Sequence, residues 1–190
     1  MAVRRNKYTV PLILLLGEPG LRAVCKSVDD VSDAEFRRNR DRLRATLEAF
    51  RREHGFGRAI SAPQIGVARR FIAVNLGDGP FTMINPEITW TSPEMFTMWD
   101  DCMSFPSLLV RVRRHRAISV RYLDDEGDTR VMDRLDQATS ELLQHEIDHL
   151  NGILAVDHAL DADAIVSREV FDAHPEWFAD RVDYVIEATV

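Results

Sequence analysis

The sequence predicts an α+β fold, with mixed or antiparallel β-sheets folded around one central helix and with further helices toward the N- and C-terminal ends. Three features of the chain point to it. Short β-like runs are grouped between segments of helical periodicity, not alternating with them one for one as a parallel sheet requires. The chain has 190 residues, enough for one domain with its own core. No repeat, low-complexity stretch or interdomain linker divides it, so residues 1–190 are expected to form a single domain.

The elements follow in chain order. Val10 to Leu16 is a short apolar run, expected as a buried N-terminal strand. Arg4, Arg5 and Lys7 precede it in the manner of a signal peptide, but Glu18 follows closely and no small-x-small cleavage site is present, which argues against export. Ser32-Asp33-Ala34-Glu35 has the form of a capping box. The helix behind it carries Phe36, Leu43, Leu47 and Phe50 on one face and is expected to end near Gly55. A turn-rich stretch runs from Gly55 to Gly66. Extended runs follow at 70–76, 82–84, 95–99 and 117–123, and Asp124-Asp125-Glu126-Gly127 reads as a hairpin turn into a strand at 129–132. A second helix spans about Gln137 to Leu150 and is closed by Asn151-Gly152. A third, acidic helix is expected after Asp161.

Composition excludes several classes. The net charge is −7, and from Asn151 onward nine acidic residues face only two basic ones, Arg168 and Arg181, so direct nucleic-acid binding by charge is not expected. The basic cluster Arg111, Arg113, Arg114 and Arg116 reads as a solvated strand edge. No apolar run approaches the roughly 20 residues of a membrane span, so no membrane partner is expected. Two cysteines make no disulfide framework, which favours a cytoplasmic location. Cys25 is expected to be buried, the three tryptophans to lie in the core or an interface, and His54, His115, His158 and His174 not to be ligands.

The sharpest motif is His145-Glu146-Ile147-Asp148-His149 on the second helix. Residues four apart share a helix face, so both imidazoles can reach one metal ion. Glu146 lies about 100° around the helix from the first ligand, where it can act as base on an attacking water. Leu142, Leu143, Ile147 and Leu150 give the helix its apolar side. The fold thus reads as sheets around a central metal-binding helix. A catalytic metal needs a third protein ligand. The metzincin spacing fails because position 155 is Ala. Glu169 could serve as in thermolysin-like peptidases, and Cys102 could serve as a thiolate.

Three segments, in order, resemble the peptide deformylase family. Gly57-Arg58-Ala59-Ile60-Ser61-Ala62-Pro63-Gln64 resembles its first motif, G-x-G-x-A-A-x-Q. Cys102-Met103-Ser104 resembles the second, E-G-C-L-S, and Gln144-His145-Glu146-Ile147-Asp148-His149-Leu150 the third, Q-H-E-x-D-H-L. Leu16-Gly17-Glu18-Pro19-Gly20-Leu21-Arg22 is similar to the family's N-terminal segment, so the likeness covers about residues 12 to 157. The resemblance implies that Cys102, His145 and His149 hold one divalent ion, natively Fe2+, with Zn2+, Ni2+ or Co2+ able to substitute. It implies Glu146 as base and proton shuttle, and Gln64 together with the backbone N–H of Met103 as oxyanion donors. The implied activity is removal of the N-formyl group from N-formylmethionyl peptides with release of formate. Asp148 is expected to support the site or pair with an arginine.

The chain departs from the pattern beside the implied substrate channel, bordered by Gly57, Arg58, Ala59, Ile60 and Asp101. Ala59 stands for the motif's second Gly, Ser61 for an Ala, Asp100 for the Glu and Asp101 for the Gly before the cysteine. A Cβ at the Gly positions would narrow the channel or exclude a positive φ. Weaker or altered activity on formyl-methionyl peptides is therefore expected. Alternative readings are a deformylase-like amidohydrolase acting on another N-formyl or N-acyl small molecule, a thermolysin-like metallopeptidase using Glu169, and an inactive metal-stabilised binding protein. The last is disfavoured because a scaffold needs neither Glu146 nor Gln64.

Overall fold

The computed structural model describes residues 12–186 and has the α+β architecture, with every strand ladder antiparallel. Helix α1 (Ala34–His54) is followed by strands β1 (Ala59–Ser61), β2 (Phe71–Val74), β3 (Phe81–Thr91), β4 (Met95–Asp101), β5 (Leu108–His115), β6 (Ile118–Leu123) and β7 (Thr129–Met132). Helix α2 (Gln137–Leu150), strand β8 (Ile165–Ser167) and short helices α3 (Arg168–Ala173) and α4 (Pro175–Ala179) follow among the described residues. One sheet has the order β1-β2-β3-β6-β7 and the other β4-β5-β8.

Helix α2 joins the two sheets. Its apolar side, Leu142, Leu143, Ile147 and Leu150, packs on Ile72, Val74, Met83, Ile118 and Val120 of the larger sheet. Its other flank is tied to β5. The Gln144 carboxamide accepts from the His115 N–H at 2.9 Å and donates to the His115 carbonyl at 2.9 Å. Ser140 Oγ donates to the same carbonyl at 2.9 Å. The helix stops at Asn151, and Gly152 turns the chain at φ +72°, where a Cβ would lie 2.5 Å from the Arg22 carbonyl oxygen. Helix α1 covers the outer half of the larger sheet, with Phe36, Leu43, Leu47 and Phe50 in a core that includes Ile60, Phe71 and Ile84.

Several expectations are corrected. Leu12 to Leu16 forms no strand, and Leu12, Leu15 and Leu16 are exposed. The N–H groups of Leu14 and Leu16 go to Gln64 and Ser104, both at 2.8 Å, so the segment straps two separate loops and joins no ladder. Arg4, Arg5, Lys7 and Val10 lie outside the described residues. The cap of α1 is Asp33, whose carboxylate accepts from Phe36 N at 2.7 Å, while Ser32 is held one residue earlier by Asp30. The run at 82–84 is the start of an 11-residue strand. Pro86 falls at a register shift between Ile84 and Glu87, where a missing N–H costs no ladder bond.

The arginine cluster is no solvated edge, because β5 lies between β4 and β8. Its alternation turns Val110, Val112 and Arg114 inward, and Arg114 is buried between Asp100 and Asp148. The acidic third helix is replaced by β8, α3 and α4: Ser167 caps α3 and Pro175 starts α4. Cys25 is buried as expected, but Trp177 is half exposed. Among the described residues no helix is long and apolar enough to cross a membrane.

Candidate metal centre

The residue after β4 is Cys102, and α2 presents His145 and His149 to it from successive turns. Among the described residues these three form the one group of donors able to hold an ion, their ligand atoms all lying within 4.8 Å of one another. Cys102 Sγ is 3.2 Å from His149 Nε2, which is 3.2 Å from His145 Nε2. Four-coordinate geometry with metal–nitrogen bonds of about 2.0–2.1 Å places two nitrogens about 3.3 Å apart, so this spacing fits a small divalent ion. Glu169 is exposed on α3 and stands outside the group.

The surroundings prepare these donors. His145 Nδ1 meets the Asp100 carboxylate at 2.9–3.0 Å, which fixes that nitrogen as donor and leaves Nε2 for the centre. Burial opposes charge on His145, yet Asp100 and then Cys102 raise its pKa well above the usual range, so proton and metal ion compete for Nε2. Burial, reinforced by His145, pushes His149 down to about 3 and keeps that imidazole neutral, as a ligand must be. Asp100 is bound in turn by Arg114 Nη2 at 3.0 Å, and Arg114 Nη1 reaches Asp148. Asp148 thus pairs with an arginine, as expected, and also meets His158 Nε2 at 3.1 Å.

Glu146 is buried beside the centre, and burial raises its pKa. Ser61 Oγ hydrogen-bonds its Oε2 and its carbonyl oxygen, the latter at 2.8 Å. Gln64 sits in the 3-10 turn Ala62–Ile65. Its Oε1 accepts from Ser61 N at 2.9 Å, and its Nε2 lies 3.6 Å from Cys102 Sγ and 3.2 Å from Ser104 Oγ. Gly57 adopts φ +114°, and a Cβ there would lie 2.6 Å from Met103 Cε, so the first motif needs its glycine.

A cavity of about 370 Å³ opens over the centre. Gly57, Arg58, Ala59, Asp101, Met103 and Glu146 line it together with Gln64, Cys102 and His145. Ile60 does not: strand alternation turns it into the core against α1. Ala59 and Asp101 sit in strands without positive φ, so replacing glycine there narrows the cavity and does not strain the backbone. The Asp101 charge is met by Arg168 at 2.8 Å. The sequence did not point to Trp99, Phe171, Pro175 and Ala179 in the lining, nor to Glu141 and Leu142. Glu141 had a usable signal: it is four residues before His145, on the helix face that holds the ligands.

Two buried histidines and a buried cysteine sulfur converging on one point, with a glutamate side chain beside them at a cavity, define a metal-dependent hydrolase on an α+β scaffold. The polypeptide deformylase family model matches residues 10–164. The chain belongs to this family, whose members use a divalent metal. It is 34% identical over 157 residues to the peptide deformylase of Thermotoga neapolitana, covering 83% of this chain and 92% of that one. The crystal structure of peptide deformylase from Thermotoga maritima superimposes with a TM-score of 0.73 at 31% identity, over 81% of this chain and 100% of that one. A Met-Ala-Ser-bound class I type b peptide deformylase from Acinetobacter baumannii gives 0.69 at 29% identity, over 79% and 98% of the two chains.

Proposed function

We propose that this chain, acting as a single domain, removes the N-formyl group from N-formylmethionyl peptides and releases formate, with Cys102, His145 and His149 holding one divalent ion. The observation that carries the reading is the clustering of those donors at a cavity that Cys102 and His145 line together with Glu146 and Gln64. A thiolate with two imidazoles suits ferrous iron as the native ion, and zinc, nickel or cobalt can replace it. When bound, the ion supplies Lewis acidity toward water and the formyl carbonyl.

The chain's own residues do the rest. Glu146 takes a proton from the attacking water on its carboxylate and returns it to the amine nitrogen as the formyl C–N bond breaks. Ser61 holds the carboxylate in one rotamer through Oε2. Gln64 Nε2 and the Met103 N–H donate to the carbonyl oxygen as it gains negative charge, each such donor lowering the barrier by roughly 3 kcal/mol. Asp100, Arg114 and Asp148 keep His145 aimed. The Met-Ala-Ser held by the Acinetobacter relative supports a short peptide as substrate. The reading places the protein in the cytoplasm, where nascent formylated chains arise.

The test is formate release from formyl-Met-Ala-Ser. Chelation should abolish it, ferrous iron added anaerobically should restore it, and Cys102→Ala should not recover. Turnover that survives complete metal removal would sink the proposal. One observation favours a second reading, an N-formyl substrate other than a formylmethionyl peptide: the cavity wall carries the charged pair Arg58–Glu141.

A further inference from the structure

The wall of the cavity one helical turn from His145 is charged. Glu141 precedes His145 by four residues, about 6 Å along the axis of α2. It is 2% exposed and bonds Arg58 Nη2 through Oε1. Arg58 Nη1 also donates to the Ala138 carbonyl at 2.9 Å. Both side chains line the cavity that holds Cys102, His145 and Glu146. Neither takes part in the hydrolytic step above.

A formamide seated at the metal centre carries its first side chain on the carbon next to the amide nitrogen. Glu141 lies one turn from His145 on the same face of α2 and lines the same cavity, so a side chain of four or five heavy atoms that leaves this carbon along the helix meets that wall. A thioether pressed on the pair would remove water from charged groups and offer nothing in return. A carboxamide of similar length satisfies both sides. Its oxygen accepts from the guanidinium, which has five N–H donors and uses two on protein acceptors, and its NH2 donates to the Glu141 carboxylate. The pair balances its own charge, so a cationic side chain meets Arg58 and an anionic one meets Glu141.

We propose that the Arg58–Glu141 wall selects N-formyl substrates whose first side chain ends in a neutral hydrogen-bonding group, a carboxamide above all, over the thioether of formylmethionine; this inference rests on the deformylase reading of the same site. Arg58 and Glu141 are specificity residues and make no contact with the bond that breaks. The selected substrate is a formylated amine of the glutamine type.

The test compares formyl-Gln-Ala-Ser with formyl-Met-Ala-Ser by kcat/KM on iron-loaded protein, and the products Gln-Ala-Ser and Met-Ala-Ser by calorimetric Kd. The proteins are wild type, the double variant Arg58→Met with Glu141→Leu, and the milder Glu141→Gln. Wild type should favour the glutamine peptide about tenfold, Glu141→Gln should narrow the ratio, and the double variant should reverse it. A wild type that favours methionine overturns the proposal even if the double variant fails to fold. Formate from both peptides at one ratio in all folded proteins also overturns it and leaves the deformylase reading standing. No formate from either peptide, with Kd values that follow the predicted order, sinks the deformylase reading and keeps the selective wall. Neither turnover nor binding overturns both.

Discussion

Replacing Arg114 with Met should be among the most destabilising single changes in this protein. Arg114 is 4% exposed, bridging Asp100 of β4 and Asp148 of α2. Burial opposes charge on both carboxylates, yet each is held below the usual range, Asp100 by His145 and Arg114, Asp148 by His158 and Arg114. Methionine fills most of the space, so little cavity forms. The loss comes from a buried Asp100 left with His145 alone. Breaking a buried pair in this way costs about 3–5 kcal/mol. At roughly 2–4 °C per kcal/mol for a chain of this size, Tm should fall by roughly 6–20 °C. Urea and thermal unfolding of the metal-free proteins at pH 7 measure it. Both carboxyls have depressed folded pKa values, so their stabilisation is present above the unfolded value of about 3.9 and is lost as pH falls through the folded one. The gap between wild type and variant should therefore shrink below about pH 4. A loss under about 1 kcal/mol at pH 7, or a gap independent of pH, would refute the reasoning.

The opposite pH dependence is expected from Glu141. Burial pushes its pKa up to about 7, with Arg58 offsetting only part. Its contribution is intact below the unfolded value of about 4.3 and is lost as pH rises through 7. Glu141→Gln should therefore gain on wild type by roughly 1–3 kcal/mol between pH 4.5 and 8, read from urea midpoints of the metal-free proteins. Gly152→Ala should destabilise by roughly 1–3 kcal/mol, because φ +72° and the Arg22 carbonyl oxygen 2.5 Å from the new Cβ both oppose it. Cobalt-loaded wild type should show a thiolate-to-cobalt charge-transfer band that Cys102→Ser lacks and Glu169→Ala retains.

What the sequence made legible was what repeats along the chain or belongs to a short motif. The stripe of α1, the span and stop of α2, and the pairing of His145 with His149 all follow from local spacing. What stayed hidden depends on partners distant in sequence. Strand β5 carries Arg111, Arg113 and Arg114 among its apolar residues and read as a surface edge, because only the fold supplies Asp100 and Asp148 to receive Arg114. Pro86 hid the length of β3, since the register shift that tolerates it is a property of the pair of strands. The partner of the Asp101 charge was out of view, because Arg168 lies 67 residues away in an acidic tail. Ile60 read as a channel residue by its place in the motif, and strand alternation turns it away.

The most direct measurement is formate released from formyl-Met-Ala-Ser per bound ion by wild type and Glu146→Gln, each loaded anaerobically with ferrous iron. Glutamine keeps the shape and can still receive the Ser61 hydrogen bond, but it cannot take a proton from water. The variant should bind iron as wild type does and turn over roughly 10²–10⁴-fold more slowly. Equal turnover per bound ion would contradict the account.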